Sequence, residues 1–114
     1  MTEKTKITWP ALIKLEGDAE LIYVESGHAF ALDPEIQGTI FGLNDVLIDS
    51  TGLVYSLRRD GIARPEIRES CGNLSANELS GLIQAHESSL GSCCASKILF
   101  PTVAEAVRSL AYGK

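Results

Sequence analysis

"DVLIDSTGLVYSLRRD", residues 45–60, is the stretch that decides the fold. Val46, Leu47 and Ile48 run into Asp49-Ser50-Thr51-Gly52, and Leu53 to Leu57 run out of it. Asp and Ser bond to their own neighbouring backbone in turns, and Gly reaches positive φ without a Cβ clash. The branched and aromatic residues on either side suit a pleated, half-buried surface. The stretch predicts an antiparallel β-hairpin.

Upstream, "ITWPALIKLEGDAELIYVES" (7–26) repeats the pattern. A two-residue turn at Gly17-Asp18 pairs Ala11 with Val24, Ile13 with Ile22 and Leu15 with Glu20. Ile13, Leu15, Ile22 and Val24 then share one face, assigned to the core. Leu12 and Tyr23 pair on the other face, which is therefore not wholly polar. Pro10 has no N–H for a ladder and marks a strand start or an edge. Between the hairpins, Asp33-Pro34-Glu35 reads as cap, first-turn proline and acid, with Gly38 as the stop. A short helix followed by a loop is expected there. "RDGIARPEIRESCGN" (59–73), with two glycines and a proline, reads as a loop.

Two helices close the chain. In "LSANELSGLIQAHESSLG" (74–91), Ser75 and Glu78 fit a capping box, and Leu74 with Leu79 fits a hydrophobic staple. Leu79, Leu82, Ile83, His86 and Leu90 form one stripe by i+3 and i+4 spacing, and Gly91 stops the helix. "SKILF" (96–100) is short and apolar and reads as a fifth strand. In "FPTVAEAVRSLAYGK" (100–114), Thr102 and Glu105 form a second capping box. Val103, Ala106, Val107 and Leu110 make its buried stripe.

Taken together, "WPALIKLEGDAELIYV", "DVLIDSTGLVYSL" and "FPTVAEAVRSLA" resemble a family of small bacterial proteins of about this length, classed as a domain of unknown function. The resemblance spans most of the chain and implies a compact mixed α/β domain. Its motifs are turns and core stripes, so it brings no catalytic residues with it.

The fold class expected is α+β: two antiparallel β-hairpins forming a twisted sheet, a short fifth strand, and two C-terminal helices packed on one face. A single domain over residues 1–114 is the natural count, with the polar residues 1–6 disordered. A chain of 12.3 kDa buries roughly two thirds of its unfolded surface, enough for a core without metal or disulfides.

Net charge narrows the partners. The chain carries −5 overall. Residues 1–57 hold three lysines and nine acids, and residues 58–114 hold seven bases and six acids. That balance is a poor match for a phosphate backbone, so no nucleic acid is expected. No run of about 18 apolar residues exists, so no membrane span is expected. "MTEKTKITWP" lacks the apolar core of a secretory signal. Three cysteines, an odd count, fit a reduced cytoplasmic setting better than a disulfide framework.

Chemistry-bearing residues are few. Cys71, His86, Cys93 and Cys94 are the candidate metal or thiol set. Their spacings miss the paired-ligand patterns of zinc sites, and adjacent cysteines seldom share one ion. Free cysteine also packs as a small hydrophobe. Cys93 and Cys94 follow a helix C-terminus, whose dipole disfavours a thiolate. His86 lies on the apolar stripe with no triad partner nearby, which weighs toward a histidine at the core boundary. His28 could cover a sheet edge or line a cleft. Most of the carboxylates in the first half, a set that includes Asp45 and Asp49, fall in turns or on solvent faces. Arg58, Arg59, Arg64 and Arg68 form a basic island suited to a carboxylate or phosphate, or else a solvated loop neutralised by Asp60, Glu66 and Glu69. Phosphate-loop, dinucleotide and serine-hydrolase motifs are absent.

The expectation is a small cytoplasmic, non-catalytic protein-binding or adaptor module, without cofactor, present as a monomer or weak homodimer. Its contact surface would combine Trp9, Tyr23 and Phe30 with Arg58, Arg59 and Arg64, aromatics and arginine being the usual interface anchors. The competing class is a small metal-binding or thiol-dependent protein using Cys71, His86, Cys93 and Cys94.

Overall fold

Consecutive apolar residues at Ala11-Leu12-Ile13 and Leu47-Ile48 cannot all face one side of a sheet, because side chains alternate along a strand. All five are essentially inaccessible to solvent. The sheet is therefore covered on both faces. The computed structural model describes residues 7–42, 44–58, 65–91 and 95–113. It is an α+β fold around a five-stranded antiparallel sheet. The strands are β1 (Ala11–Lys14), β2 (Leu21–Val24), β3 (Val46–Asp49), β4 (Leu53–Arg58) and β5 (Glu66–Asn73), in the order β2-β1-β3-β4-β5. The helices are α1 (Gly27–Leu32), α2 (Pro34–Gly38), α3 (Ala76–Ser89) and α4 (Val103–Ser109).

The first hairpin keeps the expected register, with Ala11 opposite Val24 and Ile13 opposite Ile22. Its turn sits one residue earlier than expected. Asp18 N–H donates to the Leu15 carbonyl at 3.1 Å, with Glu16 and Gly17 in the centre and Gly17 at φ +82°. Leu15 and Glu20 consequently lie outside the ladder. In the second hairpin Leu47 opposes Tyr55, and Gly52 takes φ +93° at the turn.

One face carries Ala11, Ile13, Val24, Leu47, Tyr55 and Leu57 under Phe30 of α1, Ile36 of α2 and Phe41. The other carries Leu12, Leu21 and Ile48 under α3 (Leu79, Ile83) and α4 (Ala106, Val107), with Leu110 following. The two C-terminal helices do share one face. The expectation of helices on that face alone is corrected by α1 and α2. Ser26 caps α1 and Asp33 caps α2, each accepting backbone N–H bonds. The expected start and stop of α2 hold, whereas α1 occupies "GHAFAL", which carries little apolar periodicity.

Two further corrections concern the fifth strand. Residues 66–73, read from sequence as loop, are β5, antiparallel to β4 with two register irregularities. "SKILF" is not a strand. A 3-10 turn covers Ala95–Lys97, after which the chain is strapped along α3. Gln84 Nε2 donates to the Ile98 carbonyl at 2.7 Å, and Phe100 N–H donates to buried Ser80 Oγ at 3.0 Å. Backbone groups taken by helix side chains are not available to a ladder. The α3 capping box forms in full between Ser75 and Glu78. Of the α3 stripe, Leu79 and Ile83 are buried, whereas Leu90 at the helix end is exposed.

Candidate functional site

Short helices over a sheet leave gaps, and α2 is only five residues long. Between it and the sheet lies a groove of about 380 Å³, lined by Ile13, Ile22, Pro34, Glu35, Ile36, Gly38, Thr39 and Phe41. That volume falls in the range of small-ligand and side-chain pockets, roughly 300–1,000 Å³. Ile13 and Ile22 oppose one another across the first hairpin at the base of the groove; Ile13 is sealed from solvent, so half-buried Ile22 is the part of the floor an occupant would meet. Pro34, Ile36 and Gly38 of α2 form one wall, and Phe41 closes the end.

A buried carboxylate holds that end in place. Asp45 accepts the Glu16 N–H at Oδ1 and the Gly42 N–H at Oδ2, both at 2.7 Å. It thereby ties the segment carrying Phe41 to the end of β1. Between lining residues Thr39 and Phe41, Ile40 is 84% exposed, and Leu32 at the end of α1 is 66% exposed. Glu35 is the charged residue of the lining. The chain from Ala11 to Phe41 carries six carboxylates and one lysine. That lysine, Lys14, donates to the Leu15 and Asp18 carbonyls. The groove is thus mostly apolar inside, with one carboxylate, Glu35, in its lining.

The residues singled out from sequence scatter relative to this groove. Phe30 is buried in the core beneath α1 and offers no contact surface, a correction to its expected role. Trp9 is half-buried on the same face, and a Cβ on Gly27 would touch its ring at 3.5 Å. Tyr23 lies on the opposite face, its hydroxyl donating to Glu25 Oε1 at 2.8 Å. Trp9 and Tyr23 therefore do not share a face. Arg58 is exposed at the end of β4, opposite Glu66. Arg59, Arg64, Cys93, Cys94 and residues 1–6 lie outside the described residues.

Cys71 is exposed on β5. His86 is on α3, where Nδ1 accepts the Leu21 N–H at 2.9 Å. A backbone N–H can only donate, so the neutral ring carries its proton on Nε2. β2 and β5 are the two edges of the sheet, four strand steps or ~19 Å apart. Cys71 and His86 are thus at opposite edges, too far apart to share an ion. Among the described residues no group of three or more His, Cys, Asp or Glu is placed to hold a metal ion. Also among them, no helix is long and apolar enough to cross a membrane.

Asp49, read from sequence as a turn residue, is fully buried. It accepts from Thr8 N–H at Oδ2, and from Thr51 N–H, Thr51 Oγ1 and Leu53 N–H at Oδ1. Its work is structural: it joins the segment before β1 to the β3–β4 turn. The one signal for both hubs in the sequence is an acid at each end of the apolar run "DVLID". The groove had no local signal, because its floor and wall come from separate elements.

A family model described as a protein structure with unknown function, DUF4144, matches residues 9–110. No curated protein matches the chain. Among solved structures, the NMR structure of a protein from Shewanella amazonensis is similar to it, with 26% identity and a TM-score of 0.70. That similarity covers 100% of this chain and 98% of the other.

Proposed function

The chain belongs to the DUF4144 family, proteins of unknown function, and we propose that it is a non-catalytic binding module whose groove seats an apolar side chain of a partner protein. The partner segment would flank that anchor with lysine or arginine. The groove itself carries this reading: an apolar interior of about 380 Å³ with a carboxylate in its lining. An aromatic or branched aliphatic side chain fits the interior and gains roughly 1.5–3 kcal/mol on burial. Basic flanks complement Glu35 in the lining, which raises the association rate and rejects acidic competitors. Exposed Ile40 and Leu32 extend the contact surface beyond the groove.

Panning a random peptide library against the purified chain tests this. Enriched sequences should combine an apolar anchor with Lys or Arg. Gly38 lines the groove, and a Cβ added there would meet nothing within 4 Å, so Gly38→Phe narrows the groove without a clash at its first atom. Enriched peptides should lose binding to G38F and weaken roughly tenfold on E35K. Absence of enrichment, or peptides that bind G38F as well as the parent chain, would remove the groove as the binding site.

A further inference from the structure

The two edges of the sheet are treated differently. At the β2 edge the strand is four residues long, and His86 takes the Leu21 N–H. The β5 strand runs for eight residues and is the last in the sheet. From Arg68 to Asn73 its side chains are exposed, and Ile67 is its contribution to the core. An edge of this kind presents a row of backbone donors and acceptors to another strand. We propose that β5 pairs antiparallel with the β5 of a second copy of this chain, about a two-fold axis at Ile67, extending the sheet across a weak homodimer.

Symmetry and charge together select that centre. Antiparallel edge pairing requires a two-fold perpendicular to the sheet, which keeps each face on its own side. A residue therefore opposes one of the same parity, and the axis passes midway between one residue and its own copy. An axis at Arg68 sets Arg68 against its own copy, and an axis at Glu69 does the same to Glu69. Like charges directly opposed are destabilising. An axis at Ser70 or Cys71 opposes no unlike charges. It also runs across the irregularities against β4, which lie between Ile67 and Gly72. An axis at Ile67 sets Glu66 against the second copy's Arg68, twice by symmetry, and packs Ile67 on Ile67.

The local geometry agrees with this arrangement. Arg68 Nε bonds Glu66 Oε1 at 2.9 Å within one strand, so both side chains share a face. Glu66 also opposes Arg58 within its own sheet. Across the dimer the row would read Arg58, Glu66, Arg68, alternating in sign. In this register only Glu66–Arg68 of the two β5 strands face one another, a short overlap that buries well under the ~1,200 Å² of a standard interface, so association is expected only at high concentration.

Sedimentation equilibrium of the full chain from micromolar to millimolar concentration tests the proposal. A monomer–dimer equilibrium is expected. R68E should weaken it roughly tenfold, because two attractive pairs become repulsive. The triple variant R58E/E66R/R68E inverts the whole row and should restore it. The register has its own test. In a background with Cys71, Cys93 and Cys94 changed to Ser, I67C should oxidise to a disulfide-linked dimer. Cys71 of the parent chain should not, since it lies ~27 Å from its copy in this register. A chain that stays monomeric at millimolar concentration, a dimer indifferent to R68E, or a Cys71–Cys71 disulfide would each overturn the proposal.

Discussion

Asp49 and Tyr55 show how a buried acid can serve the fold. Among the described residues, the hydrogen bonds to the Asp49 carboxylate come from groups fixed by the β3–β4 turn or the chain entering β1, apart from that of Tyr55. Burial pushes the Tyr55 phenol above its ordinary value of 10.0, and the adjacent Asp49 charge and hydrogen bond push it the same way. In the unfolded chain Tyr55 loses its proton first, so above pH 10 the folded state binds more protons. The stability contributed by Tyr55 is intact below about 10 and is lost as pH rises through the raised value. Denaturant unfolding of the parent chain should therefore weaken above pH 10, and Y55F should flatten that decline; equal slopes for both would refute the coupling. His86 makes a comparable point at the β2 edge. H86A leaves the Leu21 N–H without its acceptor and should cost about 1–2 kcal/mol. H86N, whose Oδ1 can occupy the position of Nδ1, should recover most of that. Urea titrations of the two variants check this, and equal losses would mean that ring packing rather than the hydrogen bond is at stake.

Elements with local signals were legible in the sequence, and those held by distant contacts were not. The β3–β4 hairpin, α3 and α4 carry their turn or cap residues within them: Asp49 to Gly52, Ser75 with Glu78, and Thr102. β5 has only Ile67 as a strong strand former; its polar remainder is extended because β4 pairs with it. "SKILF" has the composition of a strand, but Ser80 and Gln84 of α3 take its backbone groups. The groove was illegible for the same reason, since the Ile13–Ile22 pair meets Ile36 only in the folded chain. Gly52 is where local and distant demands coincide. It needs positive φ for the turn, and a Cβ there would collide with the Leu74 carbonyl oxygen. The Gly52 carbonyl also accepts the Leu74 N–H at 2.7 Å, joining the hairpin to the start of α3. Gly52→Ala should cost at least about 2 kcal/mol, from left-handed strain together with that collision. Gly17→Ala meets no atom within 4 Å and should show the strain alone. Thermal melts of the pair separate the two effects, and equal losses would deny the collision.

On the scale of the molecule, one sheet carries two unequal covers. α3 and α4, of 14 and seven residues, seal one face. α1 and α2, of six and five residues, cover the other and leave the groove. Helices this short gain little from their own hydrogen bonds and rest on packing. The α1–α2 cover should therefore open at a lower free energy than the whole chain unfolds. Two isoleucine truncations expose the difference. Ile83→Ala hollows the sealed face and should cost about 2–5 kcal/mol, because α3 cannot leave without global unfolding. Ile36→Ala hollows the cover that can detach, so its cost is capped at the free energy of that local opening. The loss for I36A should be the smaller of the two, although both side chains are almost fully buried. Native-state hydrogen exchange supplies the independent check. Amides of α1 and α2 should exchange through a small, denaturant-insensitive opening, while those of α3 and β3 exchange only with global unfolding. Uniform protection across the four helices, with matching losses for I36A and I83A, would show instead that both covers belong to one cooperative unit.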